Sequence, residues 1–129
     1  MSLKLSLKPG EKLIIDGAVI TNAGPKCNLV IENTVPLLRE KDILTDKNAR
    51  SPAKRIYFAI QLMYIDRPHL QAHHETYWLR VREFLEAAPR ALPIIDKMSR
   101  QVLAGEYYPA LKTCKKLIAL EEEILSHVQ

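Results

Sequence analysis

The sequence is short of several things that small catalytic or secreted modules depend on. It has four glycines and two cysteines in 129 residues. The glycines, at 10, 17, 24 and 105, all fall in turn or cap contexts, so no Gly-rich loop is left to cradle phosphates. Cys27 and Cys114 lie in regions of different predicted structure, without a CxxC pair, and read as two reduced thiols packed as small apolar groups. Neither is beside a histidine, there is no GxSxG, and the serines stand at caps and strand edges, so nucleophilic catalysis has no site. No apolar run approaches the ~20 residues that span a bilayer. The N-terminus alternates Leu3, Lys4, Leu5, Ser6, Leu7, Lys8, unlike the continuous apolar core of a signal peptide. No internal repeat or low-complexity tract is present. These absences leave an expected cytoplasmic, non-enzymatic chain with no cofactor.

What is present divides into two regions of different period. Residues 2 to 40 favour period two, with Leu3, Leu5 and Leu7 on one face and Lys4, Ser6 and Lys8 on the other. Pro9-Gly10 is turn chemistry, Asp16-Gly17 is a hairpin signal between "EKLIID" and "AVITN", and "NAGPK" is a further turn before "CNLVIENTV". With a short segment at 37 to 39, these predict an antiparallel meander of about five strands. A sheet of ~40 residues buries too little apolar surface to stand alone.

After "DILTDKNARSPAK" the period becomes helical. Ser51-Pro52 is an N-cap followed by proline at the first helical position. "AKRIYFAIQLMYI" is apolar nearly all round, with Ile56, Phe58, Ile60, Leu62, Met63 and Ile65, the mark of a helix central to the fold or to an oligomer. A second helix is expected over about 69 to 87, with Leu70, Tyr77, Val81 and Phe84 on one stripe. A third starts at Pro93 and carries Ile94, Met98 and Val102 to a cap at Gly105. A fourth opens at Pro109 and buries Leu111, Cys114, Leu117, Ile118, Ile124 and Leu125. The predicted class is α+β: a β module over 1–45 and an α-helical region of about four helices over 46–129.

Two side-chain clusters carry little chemistry. His69 and His73 are four apart, beside His74 and Glu75, a spacing that can bind a metal. With no HExxH and no third ligand at a recognisable spacing, they read as a solvated or core-edge group. "LEEEIL" reads as a helix face, with Glu121 at the edge of the apolar stripe and Glu122 and Glu123 in water.

The basic residues say more. Lys4 and Lys8 share the outer face of the first strand, Lys12 follows the turn, and Arg39 and Lys41 end the last strand. A sheet edge joining the first and last strands would gather them into a patch suited to phosphates and unpaired bases. Exposed strand lysines also guard against aggregation. In the helical region Lys54, Arg55, Arg80, Arg82, Lys112, Lys115 and Lys116 read as solvent faces. Tyr57, Tyr64, Tyr77, Trp78, Tyr107 and Tyr108 are candidate anchors for a protein partner, although aromatics at helical spacing more often belong to a core.

Four separated blocks, "MSLKLSLKPGEKLIIDGAVI", "IENTVPLLREKDIL", "SPAKRIYFAIQLMYID" and "GEYYPALKTCKKLI", resemble in order the FlbT family of flagellin-expression regulators. The resemblance implies a post-transcriptional regulator that associates with the 5′ untranslated region of flagellin mRNA and lowers its translation and stability. The implied alternative is a protein-interaction adaptor that binds flagellin, a flagellin chaperone or another flagellar regulatory protein through its helices. The N-terminal part, through "PGEKLIIDG" and "LREKDI", is also similar to CsrA-type RNA-binding proteins, whose five-stranded sheets form an intertwined homodimer. That likeness implies RNA contacts at Arg39, Lys4 and Leu5. It also has departures: Leu7 and Lys8 stand where that family has two basic residues, and Glu32 where it has glycine.

Overall fold

The computed structural model describes residues 2–128, apart from the side chain of Val128; the first and last residues of the two expected regions lie outside the described residues. The chain divides into two compact units, Met1–Ile43 and Leu44–Gln129. Five antiparallel strands precede four α-helices, an α+β arrangement.

The first unit contains β1 (Leu3–Leu7), β2 (Lys12–Ile15), β3 (Ala18–Thr21), β4 (Cys27–Ile31) and β5 (Leu37–Arg39). They do not make the single meander that the turns predict. β1 pairs with β4, and separately β2 pairs with both β3 and β5. The Asp16-Gly17 hairpin forms as its residues dictate. Both adopt positive φ, 49° and 86°, the left-handed pair that a tight two-residue connection needs. Pro9-Gly10 behaves differently. Glu11 N–H donates to the Lys8 carbonyl at 3.0 Å and Gly10 has φ 77°, but this turn carries the chain from one sheet to the other.

Asn22 fixes that crossing. Its side-chain amide donates to the carbonyls of Leu7, Lys8 and Pro25 at 3.1–3.2 Å. Its Oδ1 accepts from Gly24 N–H, and its carbonyl accepts from Gly10 N–H at 2.7 Å. The register puts Leu5 opposite Leu29 and Leu7 opposite Cys27, so these share a face. Leu5, Leu7 and Leu13 are buried there, with Ile15, Cys27, Leu29, Ile31 and Leu37 packed against them.

The second unit contains α1 (Pro52–Ile65), α2 (Leu70–Ala87), α3 (Leu92–Leu103) and α4 (Tyr107–Val128). α1 is the central helix, packed on both α2 and α4, while α3 packs on α4. Its start is held from two sides. Ser51 Oγ accepts from Lys54 N–H at 3.2 Å, and Glu121 Oε2, from α4, accepts from Ala53 N–H at 2.9 Å. Glu121 is therefore buried at 7% exposure rather than lying at a solvated stripe edge, because it satisfies an orphan donor of α1. Gln61, also buried, exchanges two hydrogen bonds of 2.8 and 2.9 Å with the Leu44 backbone.

Two other expectations change at the ends of the helices. α4 begins at Tyr107, so Pro109 lies within its first turn, where a missing N–H does no harm. Leu125 is 57% exposed, leaving Leu111, Cys114 and Leu117 as the buried face. On α3 the buried stripe is Ile95, Met98 and Val102, with Ile94 at its margin. Gly105 has φ 75°, as a helix-ending glycine should.

Candidate nucleic-acid interface

The sequence-predicted contact residues divide between the two sheets. β1 and β5 are not joined, so no shared edge gathers Lys4 with Arg39. Lys4 lies opposite Val30 on the exposed face of the β1–β4 pair. Leu5 points the other way and is 4% exposed, so its side chain belongs to the core and leaves only backbone to offer a ligand. β1 ends at Leu7, which puts Lys8 in the turn and not on the strand face.

The remaining basic residues lie near one end of the β2–β5 pair, with Arg39 on the Leu13 side and Lys12 on the other. Glu40 Oε1 accepts from Lys12 N–H at 3.2 Å, which brings the end of β5 beside the start of β2. Glu11 Oε1 accepts from Lys8 N–H at 2.8 Å at the same end. Lys8, Lys12 and Lys41 are exposed there and Arg39 is half-exposed, opposite the fully buried Leu13. Lys12 Nζ donates to Thr21 Oγ1 at 3.0 Å. Glu11 and Glu40 hold backbone N–H groups, so their charges sit among the lysines and moderate the local potential. Residues 1–43 carry six Lys or Arg against five Asp or Glu, so any anion site here depends on local placement and not on bulk charge. Sequence reasoning missed the organiser of this end, Asn22; its position in "TNAGPK" marked a turn but not its bonds across two connections.

The helical unit holds no metal-binding geometry among the described residues. His69 Nδ1 and His73 Nε2 both donate to Asp66, at 3.1 and 2.8 Å, and these bonds hold the Asp66 carboxyl below the usual carboxylate range. His74 meets Tyr107, with Nε2 3.1 Å from the hydroxyl. Tyr57 and Tyr77 are core residues at 4% and 0% exposure, not partner anchors. The Tyr77 hydroxyl bonds Ser99 at 2.9 Å, and burial pushes its pKa up. Burial likewise pushes the Cys114 thiol up, so it stays protonated; both cysteines are free. Trp78, Tyr64 and Tyr107 are half-buried, and Tyr108 is exposed beneath Lys112. Two depressions, of about 330 and about 220 Å³, lie along α1 and α2 and share Arg55 and Arg80.

The model of the flagellar protein FlbT family matches residues 3–125. The chain belongs to the FlbT family. It is 46% identical over 125 residues to a probable flagellum biosynthesis repressor protein FlbT of Bradyrhizobium diazoefficiens, covering 96% of this chain and 85% of the relative. A probable FlbT repressor of a Caulobacter species is 42% identical, covering 99% of both chains. The flagellum biosynthesis repressor protein FlbT of Caulobacter vibrioides is 41% identical, covering 99% of this chain and 92% of the relative. No solved structure matches the chain at a significant level. FlbT membership thus rests on nearly the whole sequence, helices included, and no helix among the described residues is long and apolar enough to cross a membrane.

Proposed function

We propose that the chain represses flagellin synthesis in the cytoplasm after transcription, by associating with the 5′ untranslated region of flagellin mRNA and lowering its translation and stability. Relatives named as flagellum biosynthesis repressors support the regulatory part of this reading. The observation that supports the RNA part is the exposure of Lys8, Lys12 and Lys41, with Arg39 half-exposed, near the end where the start of β2 meets the end of β5. Lysine and arginine at that density can neutralise successive phosphates of an unpaired strand, and Arg39 offers a planar group for stacking on a base. Lys4 offers a further cation on the separate β1–β4 pair, and Leu5 takes part through its backbone alone.

The active species in this reading is a homodimer. β3 has β2 as its partner strand and presents only exposed residues, with Val19 at 66% and Ile20 at 38%, while Val30 on β4 is 53% exposed. A second copy would cover such surface, which is large for so small a unit.

Titration of flagellin leader RNA at two salt concentrations tests the RNA site. Affinity should fall with salt, and Arg39→Ala should weaken binding and lower the salt slope by about one. An Arg39→Ala variant with unchanged affinity and slope would remove the sheet-borne site from the mechanism. A protein-binding role of the helices is the second reading, favoured by the depressions along α1 and α2.

A further inference from the structure

β3 ends its sheet, with β2 on one side only, and all four of its residues are exposed. An open edge of this kind is normally guarded by lysine, proline or a bulge. β3 reads Ala-Val-Ile-Thr, with no charge and no proline, and it pairs with β2 in unbroken register along its length. The other outer strands differ. β1 carries Lys4, β5 is three residues long and ends in Arg39, and β4 has Cys27, Leu29 and Ile31 half-buried against the core of the β unit.

The hydrogen-bond pattern fixes which backbone groups that edge offers. In an antiparallel pair, alternate residues bond toward the neighbouring strand and away from it. The Asp16-Gly17 turn closes on the Ile15–Ala18 pair, and Asn22 N–H donates to the Glu11 carbonyl at 3.0 Å. Ala18, Ile20 and Asn22 therefore direct their N–H and C=O groups to β2, and Val19 and Thr21 direct theirs to the open edge. Two such edges join as antiparallel neighbours about a twofold axis perpendicular to the sheet, which sets one residue opposite its own copy. Centred on Val19, the pairing lets its N–H and C=O bond those of the second Val19, and it sets Ala18 opposite the second Ile20. Val19, 66% exposed, is then covered on one face and Ile20 on the other. Thr21 falls opposite Gly17 of the second copy. Lys12, whose Nζ donates to Thr21 Oγ1 at 3.0 Å, thus lies near the second Asp16, and symmetry repeats this meeting of opposite charges. No like charges face each other, because residues 17–21 carry none.

We propose that two copies of the chain join by their β3 edges, Val19 against Val19, into one six-stranded sheet ordered β5-β2-β3-β3-β2-β5. The inference rests on the homodimer of the proposed function and names its interface. β1 pairs with β4 and β5 with β2 inside one chain, so this dimer forms by addition at an edge and not by strand exchange. Three strand spacings and four residues of rise separate Lys12 from its copy, about 20 Å, which gives an RNA strand two equivalent basic ends to bridge.

The test needs no RNA. Sedimentation velocity of the full chain at micromolar concentration should show a dimer. Val19→Lys sets two ammonium groups face to face, and Val19→Pro removes the outward N–H without touching a bond to β2. Each should sediment as a monomer with the circular dichroism of the wild type. Val19→Cys should give a disulfide-linked dimer on mild oxidation, because the central Cα atoms lie about 5.5 Å apart in this register. Thr21→Cys, offset by four residues from its copy, should not, and the wild type with its free Cys27 and Cys114 is the control. A dimer that survives both Val19→Lys and Val19→Pro would overturn the β3 interface and leave the homodimer to another surface. So would a Thr21→Cys variant that cross-links as readily as Val19→Cys. A wild type that sediments as a monomer would overturn the interface and the homodimer together. Should either edge variant fail to fold, the two cysteine variants decide.

Discussion

In the helical unit Ile56, Ile60, Met63, Tyr77, Met98 and Leu117 are all at zero exposure, whereas among the described residues of the β unit only Leu13 and Leu38 are, and Val19 and Val30 are more than half exposed. The contrast follows from geometry. A helix can turn a stripe towards each neighbour, so α1, packed on both α2 and α4, becomes buried on several sides. Five strands of three to five residues, split between two sheets, can bury one face of each but leave edges and outer faces in water. The β unit therefore relies on backbone and side-chain hydrogen bonds at its turns, above all those of Asn22, to hold what its small core does not.

The largest expected effect tests this contrast directly. Ile60→Ala removes a branched side chain from a rigid, fully enclosed position and should cost about 3–4 kcal/mol. Leu13→Ala, at the same zero exposure, should cost about 2 kcal/mol, because its half-buried neighbours Ile15, Leu29 and Leu37 can move in. Urea denaturation of both variants measures the pair. A Leu13→Ala loss equal to or above that of Ile60→Ala would show that the β unit is packed as tightly as the bundle.

A step smaller is Glu121. Its carboxylate is buried and accepts from the Ala53 N–H, so Glu121→Leu should strand that donor and cost about 2 kcal/mol. Glu121→Gln keeps an acceptor and should cost about 1 kcal/mol or less. Thermal midpoints of the two variants separate capping from packing. If leucine is tolerated as well as glutamine, the bond contributes nothing to holding α4 on α1.

Much of this was legible in the sequence. Period-two alternation marked Leu5 and Leu7 as inward and Lys4 as outward, Asp16-Gly17 marked its hairpin, and Ser51-Pro52 marked the start of α1 to the residue. What escaped were relations between distant residues. Strong turn residues at Pro9-Gly10 say that the chain bends, but not whether the next strand pairs with the last one or crosses to another sheet. The grouping of Lys4 with Arg39 failed for that reason. Glu121 and Gln61 were invisible because a polar residue on a helix looks solvated until its backbone partner, 68 or 17 residues away, is known. Arg55 and Arg80 read as solvent faces because a groove belongs to two helices and to neither alone.

Asn22→Ala comes next in size. It removes three side-chain bonds to carbonyls and one from Gly24 N–H, mostly at exposed positions where water replaces them, so the loss should be about 1 kcal/mol. Amide hydrogen exchange should show it first in residues 8–11 and 22–26 and leave α1 to α4 unchanged. Faster exchange spread evenly across the helices would mean that the two units do not respond separately.

The smallest effect is one that acid removes. His73 and then His69 donate hydrogen bonds that lower the folded-state pKa of Asp66 relative to the unfolded chain. A depressed carboxyl contributes stability above its unfolded pKa, and that contribution is lost as pH falls through the folded value. The wild type should therefore be slightly more stable than Asp66→Asn at neutral pH, and the gap should close below about pH 4. Asp66 is solvent-accessible, so the shift in thermal midpoint should be small and should shrink further in high salt. Thermal melts of the two proteins across the acid range decide the point. A gap that persists at the lowest pH would assign the loss to the geometry of the α1–α2 connection, since asparagine would then be failing for its shape and not for its charge.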